Sequence, residues 1–137
     1  MSEVKGPCES DSQGKFRILI VEDEAPIRNA LLNWFTIRGF DADIAEDGLM
    51  AVEKCNTNVY DIITMDVDMP RMSGPEAIAQ IRCKHPDLPI VVLTGYDRSL
   101  REDTIKNVAK VLSKPIPLRA LEDELRLILR NTHGVTP

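Results

Sequence analysis

The chain has 137 residues, a net charge of −5, 43% hydrophobic and 28% charged residues, the proportions of one soluble globular domain long enough to bury a core. Its longest apolar run is a handful of residues, far short of the roughly 20 needed to cross a bilayer, and the polar, mixed-charge first fifteen residues do not read as a signal peptide. Cys8, Cys55 and Cys83 are widely spaced and form no CxxC, which points to a reduced, cytoplasmic compartment rather than a disulfide framework or zinc site, and no Lys/Arg stripe with interleaved aromatics suggests direct nucleic-acid contact.

Residues 1–15 lack periodicity and read as a mobile leader; the expected domain spans 16–131, with 132–137 a tail or the start of a linker. Phe16 to Val21 reads as a buried strand, followed at once by Glu22, Asp23 and Glu24. Pro26 suits the first turn of a helix, where its missing N–H costs nothing. Ile27, Leu31, Trp34 and Phe35 recur at helical spacing up to Arg38, with Trp34 read as packing, and Gly39 supplies the stop. Phe40 to Ala45 is a shorter, less apolar strand, expected near a sheet edge. Asp47-Gly48 turns the chain into a second helix, Leu49 to Asn56, with Ala51, Val52 and Cys55 inward.

The run Tyr60 to Met65 is strand-forming and ends on Asp66, with Asp68 two residues on and Pro70 forbidding continuation. Ser73-Gly74-Pro75 restarts the chain as a third helix, Glu76 to Lys84, buried through Ile78 and Ile81. His85 lies in a Pro-bounded loop and reads as solvated. Ile90 to Thr94 is a β-branched fourth strand closed by Gly95. A short polar helix over Ser99–Lys106, a fifth strand from Ala109 to Ser113 ending at Lys114-Pro115, and a last helix from Leu118 to about Arg130 complete the pattern. That helix sets Leu118, Leu121, Leu125 and Ile128 on one face and an i,i+4 pair, Glu122 and Arg126, on the other.

Five strands alternating with five helices imply an α/β fold, a doubly wound parallel sheet with helices on both faces. In such sheets ligands bind at the carboxyl ends of the strands, and that edge here collects Glu22, Asp23, Asp66, Thr94 and Lys114. At an effective dielectric of about 20, each close carboxylate pair there costs roughly 3–4 kcal/mol, so the cluster calls for a cation. Hard oxygen ligands with open positions suit Mg²⁺, completed by phosphate oxygens. The expected ligands are Asp23, Asp66 and a backbone carbonyl near Asp68, with Glu22 binding directly or through water. Lys114 and Thr94 add a point charge and a donor, and a carboxylate nucleophile in that setting can form an acyl phosphate.

The same residues carry a family resemblance. Val21-Glu-Asp-Glu24, Met65-Asp-Val-Asp-Met-Pro-Arg-Met-Ser-Gly74, Leu93-Thr94 and Ser113-Lys-Pro115, at these spacings, resemble the receiver domain of two-component response regulators over residues 16–131. The resemblance implies a flavodoxin-like strand order 2-1-3-4-5. It also implies that Asp66 is the phosphoacceptor, loaded from a sensor histidine kinase or phosphotransfer protein, with Glu22 and Asp23 the acidic pair, Thr94 the hydroxyl that follows the phosphoryl group and Lys114 the lysine. A cis peptide between Lys114 and Pro115 is a further feature of that family. The implied protein is a Mg²⁺-dependent signalling switch with slow self-dephosphorylation, a phosphoacceptor rather than an enzyme. Its output would pass to an effector domain or protein through the face made by the fourth helix, fifth strand and fifth helix, with a possible homodimer on phosphorylation. The chain departs from the family at Val111, where an aromatic switch residue is usual; Gly95 leaves the site open, and Asp68 and Tyr96 occupy positions that influence phosphoryl hydrolysis in the family.

Two other readings compete. Asp66-Val-Asp68 resembles the DxD of haloacid-dehalogenase-type phosphatases, which also use an Asp nucleophile and Mg²⁺, but it falls on the third strand rather than the first and leaves no room for a cap. A pseudo-receiver that never takes phosphate is at odds with the complete acidic, hydroxyl and lysine set. Neither GxGxxG nor GxxxxGK[ST] occurs, which argues against nucleotide binding.

Overall fold

A computed structural model describes residues 15–67, 74–95 and 102–132. Strands β1 (Arg17–Val21), β2 (Asp41–Ala45), β3 (Ile62–Asp66), β4 (Ile90–Thr94) and β5 (Lys110–Ser113) alternate with helices α1 (Ala25–Ile37), α2 (Gly48–Thr57), α3 (Gly74–Lys84), α4 (Glu102–Lys106) and α5 (Leu118–Thr132). All strand pairs are parallel, as the alternation of strands and helices predicts, and the sheet order is β2-β1-β3-β4-β5, the flavodoxin-like order that the family resemblance implies.

The three central strands are apolar almost without interruption because both their faces are covered. Alternate residues divide between the two layers. Ile18 and Ile20 of β1 join Phe35 of α1 and Leu121, Leu125 and Leu129 of α5. Leu19 and Val21 join Ala51 and Cys55 of α2 and Ala77, Ile78 and Ile81 of α3 on the opposite face. Each fully buried Ile or Leu side chain contributes about 1.5–3 kcal/mol of transfer free energy, so these layers supply most of the drive to fold. Strand β2 is an edge, with Asp41 exposed and Ala42 and Asp43 half-buried. Gly39 ends α1 at φ +98°, a left-handed conformation that side chains resist, and the N–H of Phe40 caps the carbonyl of Phe35 at 2.9 Å.

Element ends differ from the sequence reading by one or two residues. Helix α3 begins at Gly74 rather than Glu76, and the reason is steric: a Cβ at Gly74 would lie 2.6 Å from the Cα of Val67, so only glycine lets the helix start directly against the residue after Asp66. The leader to residue 14, Cys8, Asp68 to Ser73, Tyr96 to Arg101 and the tail from His133 lie outside the described residues.

Two readings are refined. The expected i,i+4 pair of Glu122 and Arg126 forms at 2.8 Å, and its carboxylate is buried. Glu122 is 2% exposed and faces α1, where one of its oxygens accepts from Trp34 Nε1 at 3.0 Å and from Arg38 Nε at 2.9 Å. A carboxylate among two guanidiniums and an indole N–H is satisfied enough to be buried, and Trp34 is therefore a hydrogen-bond donor as well as packing. His85 is not fully solvated either: it is half-buried and its Nε2 is enclosed with no partner among the described residues.

Glu122→Gln is expected to lower stability by about 2 kcal/mol at neutral pH. The figure is less than the full cost of splitting a buried ion pair because both arginines are partly exposed and can rehydrate. Urea unfolding followed through Trp34, the sole tryptophan, measures it, and an unchanged midpoint would show the network to be neutral.

Candidate functional site

Strand register assembles the site. Val21 pairs with Met65, so the next residues on β1 and β3 are Glu22 and Asp66. Asp66 pairs with Leu93, one residue before Thr94, and Thr94 pairs with Ser113, one residue before Lys114. Each neighbouring strand thus delivers its polar end residue to the same edge, and the N–H of Lys114 donates to the Thr94 carbonyl at 2.9 Å.

The carboxylates of Glu22, Asp23 and Asp66 each offer an oxygen within 4.8 Å of the others. Glu22 and Asp66 are buried, at 1% and 2% exposure, and Asp23 is half-buried at the rim. Lys114 Nζ lies 3.2 Å from Asp66 Oδ2 and keeps a third of its side chain in solvent. Thr94 is fully buried beneath. The Lys114–Pro115 peptide is cis.

Burial above all, then the charge of Asp66, pushes the Glu22 carboxyl up to about 7; the Glu24 N–H and Lys114 pull the other way without matching them. Three acidic groups thus converge at one edge, where Lys114 pairs with Asp66. Convergent hard oxygens with an excess of negative charge fit a divalent ion such as Mg²⁺, which Glu22, Asp23 and Asp66 would hold.

Of the expected site residues, Glu22, Asp23, Asp66, Thr94 and Lys114 come to one edge; the Asp68 carbonyl and Tyr96 lie outside the described residues. Val111 pairs with Val92 and packs, half-buried, against the core layer under α2 and α3, an aliphatic side chain where the resembled family usually has an aromatic. The sequence reading missed Arg28. Its Nη1 donates to the carbonyls of both Glu22 and Asp23, at 3.0 and 3.3 Å. A side chain that binds main-chain carbonyls leaves no trace in hydrophobic periodicity.

Comparison with known proteins gives a consistent picture. The family model described as "Response regulator receiver domain" matches residues 18–126. Response regulator MprA from Mycobacterium sp. (strain KMS) is 35% identical over 119 residues, 85% of this chain and 51% of that protein, so the chain spans about half the length of the curated relatives it matches. The response regulator protein TrrA from Thermotoga maritima, solved in complex with Mg(2+)-BeF, is 30% identical with a TM-score of 0.76, over 82% of this chain and 98% of that one. A CheY-like receiver domain protein from Methanospirillum hungatei JF-1 shares the fold at a TM-score of 0.80 and 20% identity, over 90% of this chain and all of that one.

Proposed function

The chain belongs to the response regulator receiver domain family of two-component signalling, and we propose that it is a phosphorylation-controlled switch in which Asp66 takes a phosphoryl group from a sensor histidine kinase or phosphotransfer protein. The observation that carries this reading is the gathering of three carboxylates within 4.8 Å of one another, with Lys114 Nζ 3.2 Å from Asp66. Family membership leaves the dehalogenase-type phosphatase reading without support.

Glu22, Asp23 and Asp66 would hold Mg²⁺, and the complex of the 30% identical TrrA with Mg(2+)-BeF supports that choice. Bound there, the ion would neutralise charge on the incoming phosphoryl oxygens. Asp66 Oδ1 or Oδ2 attacks phosphorus, forming the acyl phosphate as the bond to the donor breaks. Lys114 moves from its partner Asp66 toward the new phosphoryl oxygens, and Thr94 supplies a hydroxyl donor. About two added negative charges at the strand ends then bias the α4–β5–α5 face toward a state that engages an effector domain or protein. The chain's role is to accept and hold a phosphoryl group, not to turn over a substrate. We place the chain in the cytoplasm on the strength of its family; separately, no helix among the described residues is long and apolar enough to cross a membrane.

Incubation with a small phosphodonor and Mg²⁺ is expected to add one phosphoryl group, mapped by mass spectrometry to Asp66, and chelation of the metal is expected to prevent it. Labelling at another residue, or none under Mg²⁺, would sink the reading.

A further inference from the structure

We propose that Arg28 is a positioning residue for the metal-binding carboxylates, acting on the backbone that carries Glu22 and Asp23; this rests on the Mg²⁺ reading above. Three crowded carboxylates repel, and besides protonation of Glu22 a metal-free chain can relieve them by swinging the loop after β1 and its two acidic residues outward. Three restraints oppose that motion. The Glu22 N–H is tied to the Ala45 carbonyl of β2 at 3.1 Å, and the Glu24 N–H donates back to Glu22 Oε2 at 3.3 Å. The third is Arg28, five residues after Asp23 and one turn into α1, whose Nη1 bridges the successive carbonyls of Glu22 and Asp23. Pinning both carbonyls fixes the two peptide planes, and so the directions in which both carboxylates leave the chain.

The guanidinium is held there against a cost. Its Nε is buried with no hydrogen-bond partner among the described residues, so that nitrogen does not explain its placement. The carbonyl pair does, aided by the negative field of the acidic edge. Arginine suits the task because one nitrogen, Nη1, carries two donors that reach both carbonyls, and its charge is permanent. Its position in the chain matters too: Arg28 is part of a helix docked on the core, so the clamp ties the loop to the scaffold rather than to another loop.

The sign of the effect separates this role from a simple charge effect. A cation beside a metal site repels the metal, so removing Arg28 would tighten Mg²⁺ binding if charge alone mattered. Loss of the clamp would weaken it. Arg28→Met keeps the aliphatic stem but has neither donors nor charge; Arg28→Lys keeps the charge and one amine able to reach a carbonyl; Arg28→Gln is a milder neutral variant should the methionine chain fail to fold. Mg²⁺ alone is titrated calorimetrically into each metal-free protein at fixed ionic strength, and thermal unfolding is recorded in chelator. The clamp predicts binding about tenfold weaker in Arg28→Met and Arg28→Gln, recovery of most of the loss in Arg28→Lys, and melting temperatures close to the parent. Equal or tighter binding in the neutral variants would overturn it, as would weaker binding that tracks a fall in melting temperature and is not restored by lysine. A parent chain that binds no Mg²⁺ would instead remove the metal reading itself, and this proposal with it.

Discussion

Asp66→Asn is expected to abolish phosphoryl uptake while leaving the fold intact. The amide nearly matches the carboxylate in shape, so the packing of a side chain that is 2% exposed is preserved, but an amide oxygen is too weak a nucleophile to form the acyl phosphate. Uptake from a small phosphodonor should fall below detection by intact-protein mass spectrometry; persistent stoichiometric labelling would reassign the acceptor. The same variant has a second readout. The charge of Asp66 is the second cause of the high Glu22 value, so the Glu22 carboxyl should titrate lower in Asp66→Asn, yet remain above the ordinary 4.5 because burial, the leading cause, is untouched. Carboxyl-carbon NMR titration measures it.

The metal-free domain should lose stability as pH rises from about 5 to about 8, by roughly 3 kcal/mol, and Mg²⁺ should restore most of it. Glu22 sits at about 7 in the folded chain against 4.5 as a free carboxyl. The folded state therefore holds a proton more tightly than the unfolded one; the contribution is fully present below about 4.5 and gone once pH has passed through 7. Asp43 and Glu122 act with the opposite sign. Glu122 is buried, which alone would raise it, but its hydrogen bonds and ion pairs with Arg126 and Arg38 hold it below 4.5. For Asp43, the hydrogen bonds from Tyr60 and Lys54 outweigh burial and hold it below 3.8. What these two contribute is present at neutral pH and lost as pH falls through their depressed values. The metal-free protein is thus most stable in mildly acid solution, and a divalent ion moves the optimum upward by taking the place of the Glu22 proton. Urea unfolding across pH, with chelator or with Mg²⁺, tests both arms; a flat profile in chelator would mean that the acidic edge relaxes apart.

The sequence alone carried the elements and the edge. Apolar runs such as Ile18–Val21 and Ile90–Leu93 could be read as buried strands because a parallel sheet hides both faces and needs no alternation. Gly39 was legible as a stop because only its backbone tolerates the turn, and Asp66, Thr94 and Lys114 were legible because each closes a strand, where side chains meet at one edge. Those are local or periodic properties, and a linear pattern records them. Burial of Glu122 was not legible: a Glu four residues before an Arg looks the same on a wet face as on a dry one. The decision fell to Trp34 and Arg38, which lie more than 80 residues earlier in the chain and supply the donors that make a buried carboxylate tolerable. Arg28 escaped for a related reason, since its partners are carbonyls that every residue possesses. Strand register, not residue type, brought Glu22, Asp23 and Asp66 within 4.8 Å of one another; burial first, and then the nearby charge of Asp66, raises the Glu22 value, and the convergence leaves room for a cation. Sequence determines which groups reach the edge; only packing determines how far apart they stand, and electrostatic energy depends on that distance.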